Sequence, residues 1–176
     1  GYDCQQLAGY YGVANRLILS EPGLWKGPSE SVLALTYAAF DVQLTTTQGE
    51  GWGLTTMEGM ACGIPQIVPA WSGLGEWTED AALQVPCTTI AVTPNRINVV
   101  GGIADRQLTV KALDLLYRDA ALRDQYRERG LALVKRPCYR WPAIGQAFVE
   151  ALEDAVDARA TGLRKQAEAL ALATET

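Results

Sequence analysis

The stretch from Asp41 to Pro65, DVQLTTTQGEGWGLTTMEGMACGIP, constrains the fold of this chain more than any other. Its opening run, Asp41 to Thr47, is rich in β-branched residues and reads as a strand. Glycines at 49, 51 and 53 then read as a tight turn, and Thr55 to Ala61 as a short helix stopped at Gly63 before Pro65. Strand, glycine turn and helix N-terminus in that order make a seat for an anion. The first N–H groups of a helix lack intrahelical partners, and the helix dipole favours negative charge there. In open α/β sheets, ligands sit at the carboxyl ends of strands, where this turn lies.

Two carboxylates, Glu50 and Glu58, bracket seven residues in this segment. A carboxylate is a poor phosphate ligand, but it accepts hydrogen bonds from vicinal hydroxyls. Phosphate together with hydroxyls describes a sugar nucleotide. Taken singly, the features stay open: a glycine run also serves a ligand-free turn, and Glu58 also suits an exposed helix face. Glu50, flanked by Gly49 and Gly51, has no evident structural task, and its presence tips the reading of Glu58 toward a ligand.

Composition narrows the function classes. At 176 residues, 48% apolar and 20% charged, the chain has the make-up of a globular domain with a sizeable core. The net charge is −5, and no basic run exceeds the pairs Lys135-Arg136 and Arg164-Lys165, so a nucleic-acid footprint is not expected. Histidine is absent, which removes Ser-His-Asp, Cys-His and HExxH chemistry from this chain. The cysteines at 4, 62, 87 and 138 form no CxxC pair, so neither a zinc site nor a thioredoxin-type motif is expected. Cys62 and Cys87 stand among apolar residues and read as small buried hydrophobes. A reducing cytoplasm is the expected location, and no apolar run approaches the length of a membrane span. The chain opens on Gly1 rather than Met, so an upstream portion is expected.

Along the chain, residues 2–12 read as the end of a helix with a glycine stop, and Asn15 to Ser20 (NRLILS) as an apolar strand. Ser29 is placed to cap a helix carrying Val32, Leu33, Leu35 and Tyr37. Gln66 to Ala70 reads as a strand, Gly73 to Asp80 as a turn and short helix, and Leu83 to Val92 as one or two strands around Pro86. Residues 93–104 read as a loop. Asp105 and Asp119 cap two helices ending near Tyr117 and Val134. After a break at Pro137 to Pro142, helical spacing resumes at Ala143. Strands alternating with helices predict an α/β fold, a Rossmann-like parallel sheet with helices on both faces. Four strands are few for such a fold, so its first strands are expected upstream of residue 1. The expected division is a partial nucleotide-sugar-binding lobe over 1–157 and a helical tail over 158–176.

The central segment resembles the E-x7-E motif of the retaining GT-B glycosyltransferases, in particular the glycosyl transferases group 1 (GT4-like) family. Leu35-Thr36-Tyr37-Ala38-Ala39-Phe40-Asp41-Val42 resembles the family's "LYAAADV". Glu50-Gly51-Trp52-Gly53-Leu54 is similar to its "EGFGL", and Met57 to Pro65 to its "LEAMACGLP". Ser72-Gly73-Leu74-Gly75-Glu76 looks like a weakened "GGxxE", and Tyr139-Arg140-Trp141 resembles the "FSW" before the final helix. The likeness runs from about Gly12 to Leu152. It implies the donor-binding C-terminal lobe of a hexosyltransferase that moves a sugar from a nucleoside diphosphate sugar to an acceptor hydroxyl with retention. By that resemblance, Glu50 is the catalytic-centre carboxylate on the donor sugar's hydroxyls. Gly51, Trp52, Gly53, Leu54 and Thr55 would line the donor, with backbone amides of 52–54 at the diphosphate or sugar, and Glu58 would hold the ribose. The loop Ser20 to Gly23 would lie near the base. The Trp52 side chain would pack against the turn, and Glu76 reads equally as a solvated helix residue. No cofactor or metal is implied.

The family pattern also has parts that this sequence lacks. Nothing before Gly12 matches the "GR…KG" segment that supplies an Arg and a Lys to the diphosphate; residues 1–11 resemble the helix after it. Lys26 is a conceivable substitute without further support. The N-terminal lobe that binds the acceptor is expected elsewhere, in the missing part or in a partner chain, and self-association stays open. A departing diphosphate needs positive charge or oriented dipoles, so the isolated chain is expected to bind donor weakly and transfer little or nothing. Two other classes remain. One is a non-catalytic lobe that stands alone or depends on a partner. The other is a different Rossmann-like enzyme, a nucleotide-sugar epimerase or an oxidoreductase. Against the last, GEGWG lacks the G-x-G-x-x-G spacing of dinucleotide sites.

Overall fold

The computed structural model describes residues 3–19, 27–92 and 100–174. They divide into two compact units, Gly1–Thr36 and Tyr37–Thr176. In the first, helix α1 (Cys4–Tyr10) starts at Asp3, whose carboxylate accepts from the N–H groups of Gln5 and Gln6. A 3-10 turn, Ala14–Arg16, follows. The strand expected over Asn15 to Ser20 does not form among the described residues: Leu17 is extended but has no ladder partner. Strand backbone needs a neighbour to satisfy its N–H and C=O groups, and this unit contains no other described strand. Ser20 to Gly23 and Lys26 lie outside the described residues. Helix α2 (Glu30–Ala38) is capped as expected, with Val32 N–H donating to Ser29 Oγ at 3.4 Å.

The second unit carries the α/β fold. Strands β1 (Gln43–Leu44), β2 (Gln66–Pro69) and β3 (Leu83–Val85) form a parallel sheet in that order. Gln43 pairs with Gln66 in register, and Ile67 with Leu83. Strand β1 is shorter than the seven residues expected, because after Thr45 donates to the Ile67 carbonyl the chain leaves for the glycine turn. Helix α3 (Leu54–Ala61) follows that turn, and α4 (Ser72–Trp77) follows β2. The C-terminal end of α3 is closed by Gly63 N–H to Met60 C=O and Ile64 N–H to Gly59 C=O. This pair of bonds satisfies carbonyls that a helix end otherwise leaves free.

All four residues of β2 are buried, as expected of a parallel strand covered on both faces. Its neighbours Ile67 and Val68 point to opposite faces and enter different cores. Val68 packs with Met60, Leu74, Trp77, Ala81, Ala82 and Leu133. Ile67 packs with Val85, Ala112 and Leu116. Helices α5 (Arg106–Arg118) and α6 (Ala120–Val134) supply Leu116 and Leu133 to these cores, so helices cover both sides of the sheet. Asp105 and Asp119 cap them through the N–H groups of Leu108 and Leu122, both at 2.9 Å.

Two sequence readings are corrected here. Residues 93–104 were expected to be a loop; 93–99 lie outside the described residues, but β5 (Val100–Ala104) pairs antiparallel with β4 (Cys87–Val92) in a separate ribbon. Glycines at 101 and 102 weaken the local strand signal, and the pairing itself supplies the order. Cys62 was expected to be buried, yet it is exposed, because it caps the C-terminal end of α3. Cys87 is half-buried, and that burial pushes its thiol above the ordinary range. Helix α7 runs from Trp141 to Thr174 as one element.

Candidate functional site

The site is built where β1 gives way to α3. Gly53 is the N-cap of α3 and adopts a left-handed conformation, φ +85°, that a side chain would strain. A Cβ there would also stand 2.5 Å from Leu74 Cδ2. Its carbonyl accepts from Thr56 and Met57, which starts the helix. Among the described residues, the N–H groups of Trp52, Gly53, Leu54 and Thr55 have no protein partner. They remain available at the positive end of the helix dipole.

Glu50 is held by its backbone alone. Ser72 Oγ accepts from Glu50 N–H at 2.9 Å and donates to the Glu50 carbonyl at 3.1 Å. Gly73 N–H donates to that same carbonyl at 3.0 Å. Both main-chain groups of Glu50 are thereby satisfied, and its carboxylate is exposed without an intramolecular partner among the described residues. Ser72 itself sits at φ +48°, a left-handed conformation that costs a non-glycine residue. The strain is sustained where Ser72 clamps the turn.

Glu50 and Gly51 line a cleft of 590 Å³ together with Thr47, Gln48, Gly49, Trp71, Ser72, Val100 and Gly101. Among the described residues no cationic side chain belongs to that lining. Glu58 lies outside it, exposed on α3 one turn into the helix. There the Tyr37 hydroxyl donates to Glu58 Oε2 at 2.8 Å, which fixes one carboxylate oxygen. Burial first, and the neighbouring Glu58 second, push the Tyr37 phenol up to about 12.

The Trp52 side chain packs away from the cleft. Its indole stacks on Trp77 at 5.0 Å and 9°, and meets Tyr139 edge-on at 5.6 Å. Trp77 Nε1 donates to the Trp52 carbonyl at 2.5 Å, so the turn is pinned from the far side as well. Burial pushes the Tyr139 phenol upward too. Glu76 is exposed on α4.

Five residues were not picked out from the sequence: Tyr37, Ser72 as a clamp, Trp71, and Val100 and Gly101 of the ribbon. Tyr37 and Ser72 stand inside stretches whose likeness to family motifs was noted, but their partners are 21 and 22 residues away. Val100 and Gly101 fell in the supposed loop. Among the described residues no group of three or more His, Cys, Asp and Glu side chains is arranged to hold a metal ion. No helix there is long and apolar enough to cross a membrane.

No protein-family model and no curated protein sequence matches the chain. Solved structures do. Sucrose-phosphate synthase from Thermosynechococcus elongatus superposes with a TM-score of 0.65 at 22% identity, over 88% of this chain and 34% of that one. WaaG, a glycosyltransferase involved in lipopolysaccharide biosynthesis, superposes with a TM-score of 0.59 at 17% identity, over 80% of this chain and 33% of that one. The chain thus spans about a third of the length of either structure. What it shares with them is the fold: the α/β arrangement of a GT-B glycosyltransferase lobe, with a parallel sheet flanked by helices.

Proposed function

We propose that this chain is the donor-binding lobe of a glycosyltransferase that uses a nucleoside diphosphate sugar. The observation that carries the reading is Glu50, a residue of the cleft lining just before the N-terminus of α3, its backbone saturated by Ser72 and Gly73 and its side chain exposed. Glu50 accepts from the hydroxyls of the donor sugar. The free amides of Trp52, Gly53, Leu54 and Thr55 receive the diphosphate, with Gly51 allowing close approach, and Glu58 takes the ribose hydroxyls with its unbound oxygen. In the transfer the bond from the anomeric carbon to the diphosphate oxygen breaks, with the electron pair leaving on the diphosphate. The acceptor oxygen bonds to the same carbon and gives up its proton to the departing diphosphate oxygen. Retention of configuration, as in the group 1 enzymes, is part of the proposal. So is a reaction that relies on positioning and leaving-group stabilisation, without a metal. Four free cysteines support a reducing compartment, the cytoplasm, as the place of work.

One observation favours a second reading, a non-catalytic lobe that depends on a partner. Among the described residues the cleft lining holds no cationic side chain, which leaves the helix dipole to meet leaving-group charge there. The acceptor site and the missing cations then belong to another lobe or another chain. On either reading this chain by itself binds donor and transfers little.

Calorimetric or NMR titration with nucleoside diphosphates and their sugar conjugates tests the assignment. The wild type is expected to bind both. Glu58→Ala should lose the preference for ribo- over 2′-deoxyribonucleotides, and Glu50→Ala the extra affinity contributed by the sugar. A wild type that binds no nucleotide at millimolar concentration would sink the donor-lobe function and leave only the fold.

A further inference from the structure

The cleft beside Glu50 has a second wall, supplied by neither the glycine turn nor α3. The ribbon β4–β5 provides it. Gly102 N–H donates to the Gln48 carbonyl at 2.8 Å, tying the ribbon to the residue that precedes the turn. Val100 and Gly101 then line the cleft with Glu50, Ser72 and Trp71. The approach leaves no room for side chains: a Cβ on Gly101 would stand 2.8 Å from Gln48 Cβ, and one on Gly102 2.5 Å from two carbons of the Trp71 ring. Backbone therefore lies against the indole and holds it at the cleft.

The lining is divided in its chemistry. Of the side chains that belong to it, Glu50 and Gln48 are polar and Trp71 and Val100 apolar, while the Thr47 and Ser72 hydroxyls are bonded to the main chain of Gly49 and Glu50. A pyranose ring is divided in the same way, with a rim of hydroxyls and a face of C–H groups. An aromatic surface suits the C–H face, and acceptor oxygens suit the rim.

We propose that Trp71 and Val100, set in place by the Gly101-Gly102 pair, form the apolar wall that reads the donor's sugar. The ligand class is a pyranose with an uninterrupted C–H face, as in glucose. An axial hydroxyl on that face would meet indole instead of water and lose its hydrogen bonds. The inference rests on the reading of Glu50 given above and adds the group that discriminates between sugars.

The test compares UDP, ADP and GDP with their glucose conjugates, on the full chain, for wild type, Trp71→Leu and Val100→Trp. Far-UV circular dichroism reports folding. Val100 is 48% exposed, so its replacement tests the wall even if Trp71→Leu fails to fold. In the wild type the glucose conjugate should bind more tightly than its diphosphate. Trp71→Leu should shrink that sugar-dependent gain by roughly tenfold, and Val100→Trp should remove it by filling the cleft, while the diphosphate titrations stay within about twofold. A gain unchanged in folded Val100→Trp overturns the wall and leaves the donor reading intact. Diphosphate binding with no gain from glucose in the wild type overturns the wall alone. A wild type that binds neither diphosphate nor conjugate overturns both.

Discussion

Tyr37 shows how a single residue links fold to site. Its ring is 6% exposed, and its hydroxyl reaches Glu58 Oε2 at 2.8 Å. Burial and the carboxylate both favour the protonated phenol, raising it from the ordinary 10.0 to about 12. The folded state therefore holds this proton more tightly than the unfolded chain does. The resulting stability is complete below pH 10 and is lost as pH rises toward about 12. Tyr37→Phe should flatten that alkaline decline, its deficit relative to wild type being largest below pH 10 and narrowing toward about pH 12. Urea midpoints recorded from about pH 8 to pH 12 would show it, and identical pH profiles for the two proteins would contradict the assignment. Glu50 and Glu58 were both legible in the sequence from their spacing around the glycines. Tyr37 and Ser72 were not recognised as their holders, because each contact closes a long loop and leaves no periodic trace.

Elements follow local rules more closely. Asp119 ends α5 by donating its N–H to the Leu115 carbonyl, and starts α6 by accepting from Leu122 N–H at 2.9 Å. Asp119→Ala should cost about 1 kcal/mol of unfolding free energy, the usual value of a lost N-cap. Chemical denaturation measures it, and a change near zero would mean that water replaces the cap. Leu116, fully buried against Ile67 and Val85, is the hydrophobic anchor of α5 on the sheet. Leu116→Ala should cost about 2–5 kcal/mol, the lost transfer energy plus a cavity. These helices, their caps and the buried run of β2 were legible because each is signalled within a few residues. Strand β5 was not: Gly101 and Gly102 look like loop residues until Gln48 and Trp71 are seen pressed against them. The run Asn15 to Ser20 failed in the opposite sense, with strand composition and no described partner.

At the scale of the whole molecule, the chain carries a net charge of −5 and a sequence pI near 4.8. A nucleoside diphosphate is an anion, so its approach is opposed at long range even where the α3 amides attract it locally. Added salt screens that repulsion over about 10 Å at 0.1 M. The association rate of the diphosphate should thus rise, by roughly twofold, between low and physiological ionic strength. Stopped-flow fluorescence can read this rate, and a rate that falls with salt would reveal a cationic funnel at odds with the lining described. The sequence alone determined the α/β alternation, the strand–glycine–helix unit at Asp41 to Pro65, and the two carboxylates it carries. Those features are encoded by periodicity, capping and spacing, which act over a few residues. Only the tertiary structure decided that Ser72 would saturate the Glu50 backbone, that Tyr37 would hold Glu58, and that a glycine-edged ribbon would wall the cleft. Such contacts arise from packing between elements distant in the chain, where burial and close approach, rather than local pattern, select the partner.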